Sequence, residues 1–438
     1  MRKTTRKLEP GEKLGKKELL AIGVGGMIGG GIFSVLGLTV LLAGNGAPAS
    51  FLVGMLVALV AGYFFVRLAL FFRDDGGIFT FVRGAWPKRP ELSALVGWGL
   101  LAMYVGTLAL YAYTFAAYGA DLLGEPGLRL LRVFLALLVL AFFVLVNLEG
   151  VRASGATEDL MVYTKLAVLG LFGLIGLFRA DFSRFSPPFD HGVLAVFLGA
   201  AVIFVAFEGF ELVANAVEET RDPERDLPFG IYGSILVTGA VYVLLAVVAV
   251  GALSLAEIEA ASDYALAKVA EPILGNAGRL LIALSALLAT SSAINSTLFG
   301  ASRMMAEMAE EGTLPAIFAR RDAKGVPWFG VVALAVVAGA FATLGTLSLI
   351  AEFSSLTFLL VVLFVVVAGY RLRARVGIPA GVAFFGVALV LAVALSLVGY
   401  LAGHRPEELL WLSAFYLMLG GAAAYYLSRA RASGRLGP

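Results

Sequence analysis

The chain has 438 residues, of which 60% are hydrophobic and only 15% charged, and its mean hydropathy is +0.92. Soluble domains carry roughly 25% charged residues, so this composition excludes soluble enzymes and disordered chains. Lys+Arg 33 against Asp+Glu 31 is too balanced for a nucleic-acid partner, and no cysteine with two histidines, His191 and His404, leaves nothing for a metal cluster.

The composition is that of a polytopic protein of the lipid bilayer. A helix needs about 20 apolar residues to cross, because unpaired backbone groups in hydrocarbon cost several kcal/mol each. Twelve stretches qualify: 17–42, 48–72, 92–124, 129–147, 158–178, 192–218, 229–253, 278–309, 328–347, 349–370, 379–402 and 408–428. The third and eighth are long, which predicts tilt or protrusion. No apolar run precedes Leu19, so no cleavable signal peptide is expected. Of the 33 lysines and arginines, 24 fall in segments on the side of the N-terminus and 7 on the other, with Arg67 and Lys165 inside spans. That asymmetry predicts cytoplasmic termini, with residues 1–16 as a basic tail and 429–438 as a second tail.

Span one carries six glycines in nine positions, at 23, 25, 26, 29, 30 and 31. Each costs about 0.8–1.0 kcal/mol against alanine in a helix interior. Helix packing accounts for isolated small residues but not for the triplet Gly29, Gly30 and Gly31. The pattern predicts an unwound segment whose peptide groups face a cavity. Such a break offers a positive helix end to an anion and a negative one to a cation, which suits a zwitterion.

Span six carries Glu208 and Glu211 around Gly209 in otherwise apolar sequence. A carboxylate at that depth must pair, protonate or face water. It reads either as a structural pair or as a second break with titratable groups beside a substrate path. The breaks stand five spans apart, and an odd number of spans per repeat inverts the second half relative to the first. The expected division is 17–178 and 192–372 for the two repeats, with 379–428 peripheral.

The chain resembles the amino acid–polyamine–organocation superfamily of secondary transporters. The resemblance covers roughly residues 15 to 430 and rests on several motifs in order. They are Gly25 to Phe33 in span one, Gly76 to Val82 after span two, and Glu158 to Leu166 in span five. Phe207 to Pro228 follows in and after span six, then Ser291 to Arg303 in span eight. It implies an all-α, twelve-span fold with a five-plus-five inverted repeat, discontinuous helices one and six, and transport of amino acids by alternating access. By motif, the amides of Gly29, Gly30 and Gly31 hold the substrate carboxylate, and the carbonyls of Met27, Val205 and Glu208 hold its amino group. Relatives often place an aromatic gate where this chain has Val205, which makes Phe204 and Phe207 the expected substitutes.

The same resemblance places a lysine of proton-coupled, sodium-independent members at Lys165, where its ammonium replaces a sodium ion between spans one and eight. Its implied neighbours are the carbonyls of Gly25 and Ile28 and the hydroxyl of Ser291 or Ser292. Snorkelling to the interface is the alternative, since Lys165 lies about seven residues, roughly 10 Å, into its span. Glu208 either attracts a cationic side chain or sits protonated as a donor. Glu211 takes part in proton release or anchors its helix, and Asn295 lines the cavity or bridges helices. The expectation is a proton-coupled importer of amino acids across the plasma membrane, without cofactor or metal. A sodium-independent exchanger is the alternative. An intramembrane enzyme is remote, because no nucleophile–base or metal motif lies within a span.

Overall fold

The computed structural model describes residues 13–74, 76–150 and 155–432. The tail up to residue 12, Arg152 and the last six residues, on which part of the charge count rests, lie outside them.

Sixteen α-helices follow in chain order among the described residues. The first seven are α1 (Lys16–Met27), α2 (Gly31–Ala43), α3 (Ala47–Phe72), α4 (Gly77–Ala85), α5 (Pro90–Leu122), α6 (Arg129–Leu148) and α7 (Gly155–Leu177). Then come α8 (Val193–Val202), α9 (Phe210–Ala214), α10 (Pro223–Ala252), α11 (Leu255–Ala260) and α12 (Ala265–Glu310). The last four are α13 (Trp328–Leu344), α14 (Leu347–Val376), α15 (Ala380–His404) and α16 (Pro406–Ala432). An isolated parallel bridge joins Leu14 to Thr220.

Local chemistry sets the ends. Proline opens α5, α10 and α16 at the first helical position, where the missing N–H costs nothing. Glu18 accepts the Gly15 amide at 2.9 Å to cap the start of α1. Among the described residues nine helical runs are long and apolar enough to cross a membrane, and Val193–Phe207 and Trp328–Leu344 are shorter apolar helices. One of those runs, Gly31–Phe72, is itself divided at Gly44, whose φ of +53° turns the chain between α2 and α3. The eighth predicted span begins earlier than expected. Its helix extends back to Ala265, with non-helical backbone at Gly275 dividing it.

The interior is built around α1, α2, α8 and α9, enclosed by α3, α5, α10, α12 and α14. Leucine and phenylalanine rows on α6 and α16, among them Leu130, Phe134, Phe142, Trp411 and Leu417, stay exposed. A soluble protein rarely exposes such rows, whereas a bilayer solvates them.

Candidate functional site

Two of these apolar rods lose their helical winding in the middle of the molecule. The first stops at Met27 and resumes at Gly31; the other narrows to a 3₁₀ turn over Ile203–Phe207 and resumes at Phe210. The breaks cross backbone against backbone. A methyl group placed on Gly209 would lie 2.5 Å from the Gly26 carbonyl carbon and from the Met27 nitrogen, and one on Gly31 would lie 2.8 Å from Ala206 Cα. Gly209 also has a φ of +132°, which L side chains rarely adopt. Glycine at these positions is thus what brings the two unwound segments together.

The peptide groups exposed by the breaks find specific partners. Ile28 donates its N–H to Val24, and Gly29 donates to the Met27 carbonyl at 2.9 Å. The Tyr242 hydroxyl of α10 lies 2.7 Å from that same carbonyl oxygen and 3.1 Å from the Ala206 carbonyl oxygen. One side chain therefore spans both breaks, with a single proton to give. Ser355 of α14 closes the second break. It accepts the Val205 amide at 3.0 Å and donates to the Val202 carbonyl at 2.6 Å.

A cavity of about 110 Å³ reaches this crossing. Gly25, Gly26, Glu208, Glu211, Tyr104 and Tyr111 line it, and α12 contributes Ser292, Ser296 and Thr297. Gly25 and Gly26 precede the first break and Glu211 follows the second, so the cavity lies on the side of the α1 N-terminus. On the opposite side Gly31 packs onto Ala206, and the Tyr118 hydroxyl donates to the Phe33 carbonyl at 2.9 Å.

The two carboxyls are 7% and 4% exposed and are held differently. Glu208 Oε2 lies 2.7 Å from the Thr107 hydroxyl, which also lies 3.0 Å from the Met103 carbonyl oxygen. Glu211 Oε2 accepts the Gly209 amide at 2.8 Å, supporting the turn that restarts the helix. Lys165 is 5% exposed, and its ammonium lies 3.5 Å from the Ile28 carbonyl oxygen at the break. A methyl group on Gly25 would sit 2.6 Å from Val162 Cγ2, so that glycine lets α7 pack close one turn before Lys165. The snorkelling alternative does not describe this lysine: the side chain turns into the protein.

Several expected site residues are placed elsewhere. Phe204 stacks on Phe358 at 4.9 Å and Phe207 meets Tyr242 at 5.5 Å, both fully buried, and neither lines the cavity. The 3₁₀ winding of 203–207 turns them toward α14 and α10. The aromatic rings at the cavity come instead from α5, as Tyr104 and Tyr111. Asn295 bridges helices, since its Oδ1 accepts from Asn147 at 3.0 Å. The Met27 carbonyl already has two donors, Gly29 and Tyr242, which fill its lone pairs. The Val205 carbonyl accepts from the Glu208 amide at 3.1 Å. Gly29 and Gly30 lie beneath Tyr111, where added methyl groups would meet its hydroxyl oxygen at 3.0 Å and its ring at 2.6 Å respectively. Ser292 lines the cavity and Ser291 is half-buried beside it on α12.

Tyr242, Tyr111, Thr107 and Ser355 were missed from sequence. The signal available was weak: polar tips in apolar runs, which when buried find a hydrogen-bond partner.

The comparisons with known proteins agree with this geometry. Residues 14–422 match the family described as amino acid permease. The chain belongs to that family. It is 32% identical over 394 residues to an uncharacterized protein of Methanocaldococcus jannaschii, covering 89% of each chain. It is 30% identical to the inner membrane transport protein YbaT of Escherichia coli, covering 91% of this chain and 93% of that one. To the branched-chain amino acid permease BcaP of Bacillus subtilis it is 29% identical, covering 69% and 68%. This permease is therefore a multi-pass membrane transporter of the amino acid–polyamine–organocation superfamily, and the family is one of transporters, not enzymes.

Proposed function

We propose that this permease imports amino acids across the plasma membrane by alternating access, coupled to protons and independent of sodium. The observation that carries the reading is the Lys165 ammonium 3.5 Å from the Ile28 carbonyl oxygen, at the break between α1 and α2. An ammonium there takes the place of a metal cation, and it can lose its charge where sodium cannot. Cycling that charge alters how firmly α7 holds the break, which links protonation to substrate occupancy.

The substrate carboxylate is assigned to the N-terminal end of α2, at the Gly30 and Gly31 amides, because the first N–H groups of a helix lack intrahelical partners. Tyr111 covers this end from the cavity, so it acts as the aromatic gate and must swing aside. The Glu208 carbonyl remains the choice for the amino group. Its carboxyl is assigned as neutral: the one Thr107 proton serves Met103, and a protonated Glu208 then donates to Thr107. A neutral wall and a cavity of about 110 Å³ favour small to medium neutral amino acids.

The reading includes twelve spans, an inverted pair of repeats over residues 17–178 and 192–372, peripheral helices over 379–428, and cytoplasmic termini. The cavity then faces the cytoplasm.

Uptake into proteoliposomes under an imposed pH gradient tests the coupling. Wild-type uptake is expected to rise with an inward proton gradient and to be unchanged when choline replaces sodium. Lys165→Ala is expected to abolish the pH response; full uptake with an unchanged response removes the coupling role.

A further inference from the structure

At the end of the molecule opposite the α1 N-terminus, two cavities meet at the turn between α13 and α14. The first, about 400 Å³, is lined by Arg129, Arg132, Tyr113, Thr343 and Thr346. The second, about 610 Å³, is apolar and lined by Phe341, Leu349, Phe353, Trp411 and Phe415. Leu344 and Gly345 form part of both walls. Along α5 the polar cavity is marked by Tyr113 and the apolar one by Val105. Those residues are eight apart, or roughly 12 Å at 1.5 Å per residue. The pair is thus a polar head near the surface continuing into a greasy groove toward the bilayer centre.

The charges at the head are unequal in their commitments. Arg132 is paired with Asp263 at 2.6 Å and its guanidinium lies 4.8 Å from the Tyr113 ring centroid. Arg129, by contrast, has no carboxylate partner among the described residues. It also sits in the first turn of α6, where the positive helix end disfavours a cation and welcomes an anion. We propose that this composite cavity binds an anionic phospholipid. The phosphate sits on Arg129 with the Thr346 hydroxyl, which accepts the Leu349 amide at 3.3 Å and keeps its proton to donate, and one acyl chain lies in the groove between α13, α14 and α16. A free anion would fill only the head, and a neutral hydrocarbon only the groove; the junction at Leu344 and Gly345 fits a molecule carrying both.

The test is retention of lipid by the delipidated, detergent-purified permease, read by native mass spectrometry and by thermal shift. The probes are phosphatidylglycerol, phosphatidylcholine and inorganic phosphate. Phosphatidylglycerol is expected to bind and stabilise at least about tenfold more tightly than phosphatidylcholine, whose phosphate reaches Arg129 equally but whose choline cation is repelled by Arg129 and Arg132. Arg129→Ala is expected to erase that preference while melting normally without lipid, and Arg129→Lys to retain most of it. Leu344→Trp, at an exposed site on the shared wall, is expected to weaken retention of phosphatidylglycerol. Equal binding of the two lipids, the same stabilisation from inorganic phosphate alone, or an unaltered preference in Arg129→Ala overturns the proposal.

Discussion

Replacing Tyr242 by phenylalanine removes one oxygen and leaves the ring in place. The ring packs edge-on to Phe51 at 6.0 Å and near Phe207 at 5.5 Å, contacts that phenylalanine keeps. What is lost is the 2.7 Å donation to the Met27 carbonyl and the 3.1 Å approach to the Ala206 carbonyl. A neutral hydrogen bond is worth about 1 kcal/mol net, and a buried acceptor left short of donors costs about 1–3 kcal/mol. The Met27 oxygen keeps the Gly29 amide, which places the cost toward the lower end, at about 1–2 kcal/mol. That is a factor of roughly 5–30 in the equilibrium for local opening. Amide hydrogen exchange is the suitable assay, since it reads local opening segment by segment. Peptides spanning residues 24–34 and 203–212 should exchange faster by about that factor in Tyr242→Phe, with peptides from α15 unchanged. Amino acid uptake should fall with it, because the variant uncouples the two breaks. Wild-type exchange rates at both breaks would refute the argument that Tyr242 holds them together.

Other substitutions probe the same crossing and its surroundings. Gly209→Ala places a methyl group 2.5 Å from backbone atoms of residues 26 and 27 at a φ of +132°. The conformational strain alone is about 1–3 kcal/mol, and no flexible side chain can yield. Loss of uptake with reduced thermal stability is expected, and normal uptake would show that the breaks do not need this contact. Glu208→Gln should retain uptake within about threefold, as a neutral donor replacing a neutral donor, whereas Glu208→Ala should lose it through the orphaned Thr107 contact. Equal loss in both would mean that the carboxylate charge is required. Outside the membrane, hydrogen bonds from the Ser183 hydroxyl and amide hold the Asp181 carboxyl below the usual range. A lowered carboxyl stabilises the fold above its unfolded pKa, and that contribution disappears as pH falls through the folded value. Ser183→Ala should therefore lower the melting temperature slightly at neutral pH and leave it unchanged below the folded pKa, so that the acid limb flattens; an unaltered neutral plateau and acid limb would contradict it.

Membrane residence and the first break were legible from local chemistry. The glycine run from Gly23 to Gly31 carries its own penalty against helix, and no distant residue is needed to see it. Glu208, Glu211 and Lys165 were legible for a similar reason, because charge in an apolar run is costly wherever the helix packs. The neighbours of other candidate residues were not legible. Phe204 and Phe207 look like gate aromatics by motif position, yet a 3₁₀ turn rotates them onto Phe358 and Tyr242. Asn295 could serve the cavity or a helix contact by spacing alone, and its partner Asn147 lies 148 positions away.

What the amino-acid order determined on its own was where helical winding is expensive and where charge is unwelcome, since both costs arise within a few residues of the same chain. Which carbonyl is capped, which ring covers Gly30 and which side of the crossing is open were decided only by tertiary structure. Those outcomes depend on α5, α10, α12 and α14 arriving around the two breaks, and a hydrogen bond across 215 positions, from Tyr242 to Met27, leaves no local trace.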